Sequence, residues 1–299
     1  QDSGHQADTG HDKALKIAVT TADTSIAAGD YYTFLQRIES NSLQHLQYGT
    51  SSAKSLTLSF WVRATKTGTQ AVFFSKQGTG QDYNHIKEYT INASNTWEHK
   101  IITIPGLTAS TMANDASTYL QVGWMLKYGS DFQGTKDTWT TNGHFTTANA
   151  VNNMDSTSNT FYITGAQLEV GDSASDFEYR SFEEELRLCS RYYRKIGRHM
   201  GGGREGYSAS AVTFYPGMRL TGSGAANIVT TLTTGGVMYS RGAVNNSTGT
   251  LNGTVGISTG ATDQAFTATF SHNGTSTGST YNGTGSGFYV DGLTFDAEL

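Results

Sequence analysis

The chain has 299 residues, a formal net charge of −5 and only 15% charged residues. Its 35 glycines, 2 prolines and 11% aromatic residues are typical of short strands joined by small-residue turns, and not of a disordered chain. The acidic balance gives no electrostatic reason to bind nucleic acid, and no apolar run reaches the roughly 18 residues of a membrane helix, so neither partner is expected.

Alternating apolar and polar residues predict a series of strands in the first two thirds of the chain. The clearest strand covers residues 55–64 and places one set of side chains inward, namely Leu56, Leu58, Phe60 and Val62. Its other face carries Thr57, Ser59, Trp61 and Arg63. Further strands are predicted at residues 13–20, 31–38, 88–93, 97–104, 118–128 and 159–170. This length and spacing predict a mainly β chain that begins with a two-sheet β-sandwich.

Two details of this sandwich follow from the same pattern. Strands 88–93 and 97–104 are predicted to pair with each other through a turn at Asn95. Strand 118–128 is predicted to place Trp124 and Tyr128 on one face, because they are separated by an even number of residues. That face also holds Leu120, Val122 and Leu126.

One helix is predicted at the end of the sandwich, over residues 181–196. Ser181 and Glu184 fit a capping box, and Gly197 is the expected C-cap. Apolar residues at spacings of three and four form one stripe, which we expect to pack on the sandwich or on a neighbouring subunit. The stripe consists of Phe182, Leu186, Cys189, Tyr193 and Ile196. Cys189, the single cysteine, is predicted to be a small buried side chain of this stripe.

The composition changes near residue 200, after which more than half of the glycines but few charged residues occur. A glycine run predicts a flexible linker over residues 197–206. The predicted domains are therefore a lead-in segment at 1–12, the sandwich at 13–196 and a Gly/Thr-rich, antiparallel all-β domain at 207–299. Asn-Gly pairs at residues 252, 273 and 282 favour hairpin turns in this last domain over the N-glycosylation that their sequence pattern also permits.

Several blocks of the chain resemble, in the same order, segments that recur in virion fibre proteins of marine bacteriophages of the cyanophage kind. The blocks are DTSIAAGDYYTFLQRI at residues 23–38, LSFWV at 58–62, NTWEHK at 95–100, and the stretch 161–194 that begins FYITGAQLEVG. The resemblance covers about residues 13–196. It implies a jelly-roll domain similar to carbohydrate-binding modules, within a tail fibre or another external appendage of the virion.

The same resemblance implies a homotrimer that contacts other virion proteins and is made in the host cytoplasm before assembly. We expect the protein to contribute to host attachment by recognising surface polysaccharide. A purely structural head, neck or tail fibre component without a glycan site remains an alternative, as does a polysaccharide depolymerase. The chain begins at Gln1 and not at methionine, which leaves open an N-terminal anchoring part beyond this sequence.

An enzyme is not expected, and no catalytic residues are predicted. The eight histidines do not form a His-Glu-x-x-His motif, and Gly222-Ser223-Gly224 does not fit a nucleophile elbow. A glycosidase would need two carboxylates at a defined separation, which a sequence with 25 acidic residues does not reveal.

Glycan binding needs aromatic faces beside polar groups, so the tryptophans and tyrosines are the first candidates. Trp124, Tyr128 and Trp139, with Asp137, are predicted to form the glycan site, although Trp124 also fits a core position. Trp61 and Trp97 are predicted to be structural.

A structural calcium ion is a further expectation, because it is common in modules of the jelly-roll type that this chain resembles. Asp172 and Asp176 are its leading ligands, and solvated acids or an arginine pair are the alternative for them. The other acids considered as donors are Asp8, Asp12 and Glu178.

Overall fold

A computed structural model gives the fold of much of the chain. It describes residues 1–78, 80–190, 192–202, 210–214, 229–232, 237–239, 249–250, 255–257, 266–270 and 287–296. The contacts between Cα atoms divide the chain into two units, Gln1–Tyr179 and Arg180–Glu298. The boundary between the two units lies before the helix predicted at residues 181–196. The sequence instead predicts the linker after that helix, at residues 197–206. The domain limits stay a prediction.

The first unit contains ten strands and a short helix. The strands are β1 (Asp2–Ser3), β2 (Lys13–Ala18), β3 (Tyr31–Glu39), β4 (Leu56–Ala64), β5 (Gly68–Lys76), β6 (Tyr83–Ile91), β7 (Glu98–Ile104), β8 (Thr118–Tyr128), β9 (Trp139–Thr140) and β10 (Thr160–Val170). Helix α1 (Gln6–Thr9) connects β1 to β2, and single 3-10 turns lie at Ser40–Ser42, Gln44–Leu46 and Ser130–Phe132.

These strands form two five-stranded antiparallel sheets, which confirms the mainly β jelly-roll sandwich. The first sheet has the order β1-β2-β10-β4-β7, and the second has the order β3-β8-β5-β6-β9. The core lies between them, because β4 turns Leu58, Phe60 and Val62 towards Phe74 and Val122 of the second sheet. The alternation predicted for β4 is therefore confirmed, and burial of both inner faces stabilises the sandwich.

A smaller apolar cluster covers the opposite face of the second sheet. Phe73 and Met125 project there from β5 and β8, and Phe132 and Phe145 of the following loop pack against them. Gly123 of β8 leaves room for the Phe73 ring, since a Cβ atom at this position would lie 2.2 Å from that ring.

The predicted pairing of the two strands around Asn95 is wrong. Strand β6 pairs with β5 and β9, whereas β7 pairs with β4, so that the two strands lie in different sheets. Asn95 does turn the chain, with φ at 55°, and the Glu98 carboxylate accepts hydrogen bonds from the backbone N–H groups of Asn92 and Ala93. This connection carries the chain from one sheet to the other, which an apolar pattern does not distinguish from a hairpin.

The predicted common face of Trp124 and Tyr128 is also wrong. The pairing of β3 with β8 shifts register between Tyr32 and Thr33, where β8 carries one additional residue. A β-bulge of this kind reverses the facing of the residues beyond it. Trp124 and Leu126 therefore lie in the core between the sheets, and Tyr128 lies in the smaller cluster on the opposite face.

The second unit begins with helix α2 (Phe182–Cys189). The predicted N-cap is confirmed, because the Ser181 hydroxyl accepts a hydrogen bond of 3.2 Å from the Glu184 backbone N–H. The predicted end at residue 196 is wrong, since the next strand already begins at Tyr193 and leaves no residues for further turns. Two side chains of the stripe are open to solvent, Phe182 at 80% and Leu186 at 54% exposed. Cys189 is exposed as well, so its predicted burial is wrong.

The remaining described strands are β11 (Tyr193–Gly202), β12 (Ser210–Phe214), β13 (Val229–Leu232), β14 (Val237–Tyr239), β15 (Gly249–Thr250), β16 (Val255–Ile257), β17 (Phe266–Phe270) and β18 (Gly287–Asp296). Strand β18 pairs antiparallel with β11, β13 and β14, and β17 pairs with β12 and β16. The first residues of the predicted linker thus lie within β11. The Asn-Gly pairs at 252, 273 and 282 lie outside the described residues, and the second β domain stays a prediction. Among the described residues, none of the helices is long and apolar enough to span a bilayer.

Candidate functional site

Two of the predicted glycan-binding rings are buried. Trp124 is 6% exposed, stacks on Phe34 at a ring distance of 5.3 Å and meets the edge of Phe60 at 5.6 Å. Tyr128 is 4% exposed, and its burial raises the pKa of its phenol to about 12. Neither ring offers a face to a ligand from solvent, and Trp124 takes the core position that its sequence context also allowed.

Trp139 and Asp137 are likewise engaged within the sandwich. The half-buried Trp139 packs against the main core, and its indole N–H donates a hydrogen bond of 2.9 Å to the Pro105 carbonyl. Asp137 lies 2.7 Å from the Lys87 ammonium, and this hydrogen bond lowers the pKa of the carboxyl group. The four predicted residues therefore do not form one platform on the surface.

An aromatic platform instead lies on the outer face of the first sheet. We name the side chains of Trp61, Arg63, His99, Ile101, Tyr162 and Lys16 the Trp61 face. Trp61 is half-buried and does not belong to the core between the sheets. Its indole lies 5.0 Å from the exposed His99 ring, directly across the strand pair β4–β7. Ile101, two residues beyond His99, is 56% exposed.

This position of Trp61 is contrary to its interpretation as a structural residue. The indole nitrogen has no hydrogen-bond partner among the described residues and is not buried, so it can donate to a ligand. Thr164 lies directly across from Trp61 on β10, is half-buried and supplies a hydroxyl group. The sequence did contain a signal, because Trp61 is the one aromatic residue among the polar residues on the predicted outward face of its strand.

One end of the Trp61 face is held by the N-terminal segment. His5 is 5% exposed, and its ring lies 5.3 Å from Trp97 and 6.0 Å from Tyr162. The His5 Nε2 atom lies 3.0 Å from an Asp2 carboxylate oxygen. The Arg63 guanidinium lies between the same two rings, 4.1 Å from the centroid of Tyr162 and 5.1 Å from that of Trp97. Residues 1–12 thus fold onto the sheet, and Trp97 is a structural member of this cluster.

The charges at the rim are fixed by hydrogen bonds. Burial alone would raise the pKa of Glu98, but hydrogen bonds from Lys100, Ala93 and Asn92 outweigh it and lower the pKa to about 2. The carboxylate is therefore ionised at neutral pH, and its oxygens are already occupied by partners within the chain. Glu98 thus fixes the loop before β7.

A concave surface lies at the 3-10 turns and has a volume of about 540 Å³. It is lined mainly by amide, hydroxyl and backbone groups, from Gln44, Gln47, Tyr48, Gly49, Thr50, Ser52, Thr111 and Met112. Its only aromatic side chain, Tyr48, is 3% exposed. This cleft therefore lacks the exposed ring that a sugar face would stack on.

The predicted calcium ligands lie after β10, in an exposed segment. The side chains of Asp172 and Asp176 are both exposed. In the described part of the chain, no group of three or more His, Cys, Asp or Glu side chains is placed to hold a metal ion. These residues thus do not by themselves fit a calcium site, and calcium stays a prediction.

Comparison with known proteins adds no family to this description. No protein-family model matches the chain, and no curated protein matches it with significant sequence similarity.

Proposed function

We propose that the chain is a fibre or appendage protein of a bacteriophage virion, and that the Trp61 face binds polysaccharide on the host surface. The observation that carries the binding role is the position of the half-buried Trp61 indole, which lies on a sheet face beside the exposed His99 and Ile101 and outside the core. Sugar rings present apolar C–H surfaces that pack on such a ring, while their hydroxyls pair with neighbouring polar groups. The virion setting is supported by the sequence blocks that resemble phage fibre proteins.

Binding at one such face is expected to be weak. Sugar hydroxyls already bond to water, so each hydrogen bond to the protein contributes only about 0.5–1.5 kcal/mol net. The stacking contact on Trp61 then supplies most of the binding free energy. A homotrimeric fibre would compensate for this weak binding by presenting three Trp61 faces at once.

The test is binding of the full chain to host-surface polysaccharide, measured by affinity electrophoresis. Trp61→Ala should abolish retardation, and Trp61→Phe should restore part of it because a ring is kept. Tyr31→Ala is the matched control, since Tyr31 is 60% exposed but lies in the second sheet. Retention of binding in Trp61→Ala, or its loss in Tyr31→Ala alone, would contradict the assignment. A folded wild-type chain that binds no polysaccharide would favour a purely structural fibre component.

A further inference from the structure

Two cationic side chains lie in one row across the Trp61 face. The register pairs Tyr162 of β10 with Lys16 of β2 on one side and with Arg63 of β4 on the other. The Lys16 ammonium lies 5.5 Å from the centroid of the Tyr162 ring, and the Arg63 guanidinium lies 4.1 Å from it. The shared ring thus brings both charges to the same part of the face.

Within the described part of the chain, neither cation has an acidic partner. Among the described residues, Arg63 and Lys16 take part in no ion pair and no hydrogen bond, and the Arg63 Nε atom is buried without an acceptor. The Asp2 carboxylate, at this end of the face, is engaged with His5, and Glu98 lies on the opposite side of β7 from His99. The buried Nε–H group is costly, because it has lost water without gaining a partner, whereas the Nη groups are not buried and can reach a ligand.

An oxyanion would supply acceptors for the accessible Nη groups of Arg63. A guanidinium presents its N–H groups in a planar fork that matches the two oxygens of a carboxylate, and an ammonium adds a second positive charge. Arg63 follows Trp61 by two residues on the same strand face, which is a span of roughly 7 Å. One saccharide chain can therefore stack on Trp61 and place an acidic group at Arg63.

We propose that the Trp61 face selects an anionic polysaccharide, with Arg63 as the principal anion-binding residue and Lys16 as a second one. This inference rests on the proposed function and specifies its ligand. The recognised chemistry is an oxyanion on the sugar, which a uronic acid supplies as a carboxylate and a sulfated sugar supplies as a sulfate ester.

The experiment measures binding of the full chain to three polysaccharides: a neutral glucan, a polyuronate and a sulfated galactan. We expect at least one acidic polymer to bind about tenfold more tightly than the neutral one, since a charge-assisted hydrogen bond contributes more than a neutral one. Preference for the polyuronate would identify the carboxylate as the ligand group, and preference for the galactan would identify the sulfate. Added salt should weaken this binding and leave binding to the glucan unchanged.

Three variants separate the site from general charge effects. Arg63→Gln should lose most of the preference for the acidic polymer. Lys16 is exposed, so Lys16→Gln should lose part of this preference while the fold stays intact. Arg37→Gln removes the same charge from an exposed position in β3 of the second sheet and should change nothing. If Arg63→Gln unfolds the chain, the Lys16 and Arg37 pair still decides the question.

Equal binding of the neutral and acidic polymers, with no effect of Arg63→Gln or Lys16→Gln, would overturn the anionic preference while leaving glycan binding in place. An equal loss in Lys16→Gln and Arg37→Gln would also overturn it, because net charge alone would then explain the effect. Failure of all three polymers and of host polysaccharide to bind would instead count against the proposed function.

Discussion

At the scale of single residues, Trp61 and Trp139 are the two tryptophans whose predicted roles the structure calls into question. The sequence predicted a structural Trp61 and a ligand-binding Trp139, but both are half-buried, and the structure packs Trp139 and not Trp61 against the core. The indole of Trp139 is further anchored by its hydrogen bond to the Pro105 carbonyl. The two side chains should therefore differ in their contribution to stability.

We expect Trp139→Ala to lower the free energy of unfolding by about 3 kcal/mol, since it removes a large packed side chain. Trp61→Ala should lower it by less than about 1 kcal/mol, which is usual for a position outside the core. Urea denaturation followed by circular dichroism measures both values. A larger loss of unfolding free energy in Trp61→Ala than in Trp139→Ala would show that Trp61 is a structural residue.

His85 provides a second test at this scale. Its side chain is fully buried, both ring nitrogens lack a hydrogen-bond partner, and burial with the nearby Lys87 charge lowers its pKa to about 4 despite the opposing effect of Asp137. An unfolded chain takes up this proton near the ordinary value of 6.5, so the unfolded state binds more protons between pH 6.5 and pH 4. Stability is therefore expected to fall as the pH falls through this window, by on the order of 3 kcal/mol.

The measurement is the urea midpoint of the wild type and of His85→Phe at pH 7, 5.5 and 4. The variant has no imidazole to protonate, so its decline over this range should be smaller than that of the wild type. Parallel declines in the two proteins would show that His85 does not carry the pH dependence.

At the scale of secondary-structure elements, the alternation of side chains predicted what depends on local sequence. The inward residues of β4 and the N-cap at Ser181 were both predicted correctly, because strand facing and helix capping are set by neighbours in the chain. The bulge in β8 was not predictable, since one additional residue in a strand leaves the apolar pattern intact while moving Tyr128 to the other face. The sheet that β7 joins was not predictable either, because an apolar pattern does not distinguish a hairpin from a connection between two sheets.

The Trp61 face was missed because exposure is a property of the assembled sheet. The pattern of β4 separates an inner from an outer side, but it does not say whether the outer side is covered. Here the N-terminal segment covers the end near Trp97 and leaves Trp61 open. Arg63 could likewise be placed beside Trp61 from the sequence, whereas its lack of an acidic partner depends on contacts between distant strands.

At the scale of the whole molecule, the sandwich contains its own core. The buried apolar residues of both clusters lie between Leu43 and Ile163, within the first unit. A chain ending at Arg180 therefore keeps all of these residues. The second unit contributes a different feature, namely the exposed apolar stripe of α2 with Phe182 and Leu186, which suits burial between copies of the chain.

We therefore expect residues 1–180 to unfold cooperatively and to bind polysaccharide as a monomer, and the full chain to form the proposed trimer. Light scattering gives the two masses, and surface plasmon resonance on immobilised polysaccharide gives the two affinities. Three linked faces raise the local concentration of binding sites, so the full chain should bind at least 100-fold more tightly, within the usual range of about 10² to 10⁴. Leu186→Glu in the full chain should reduce both its mass and this gain, because a charge in a buried interface is costly. A full chain that is monomeric, or that binds no more tightly than residues 1–180, would contradict the trimer and leave each Trp61 face acting alone.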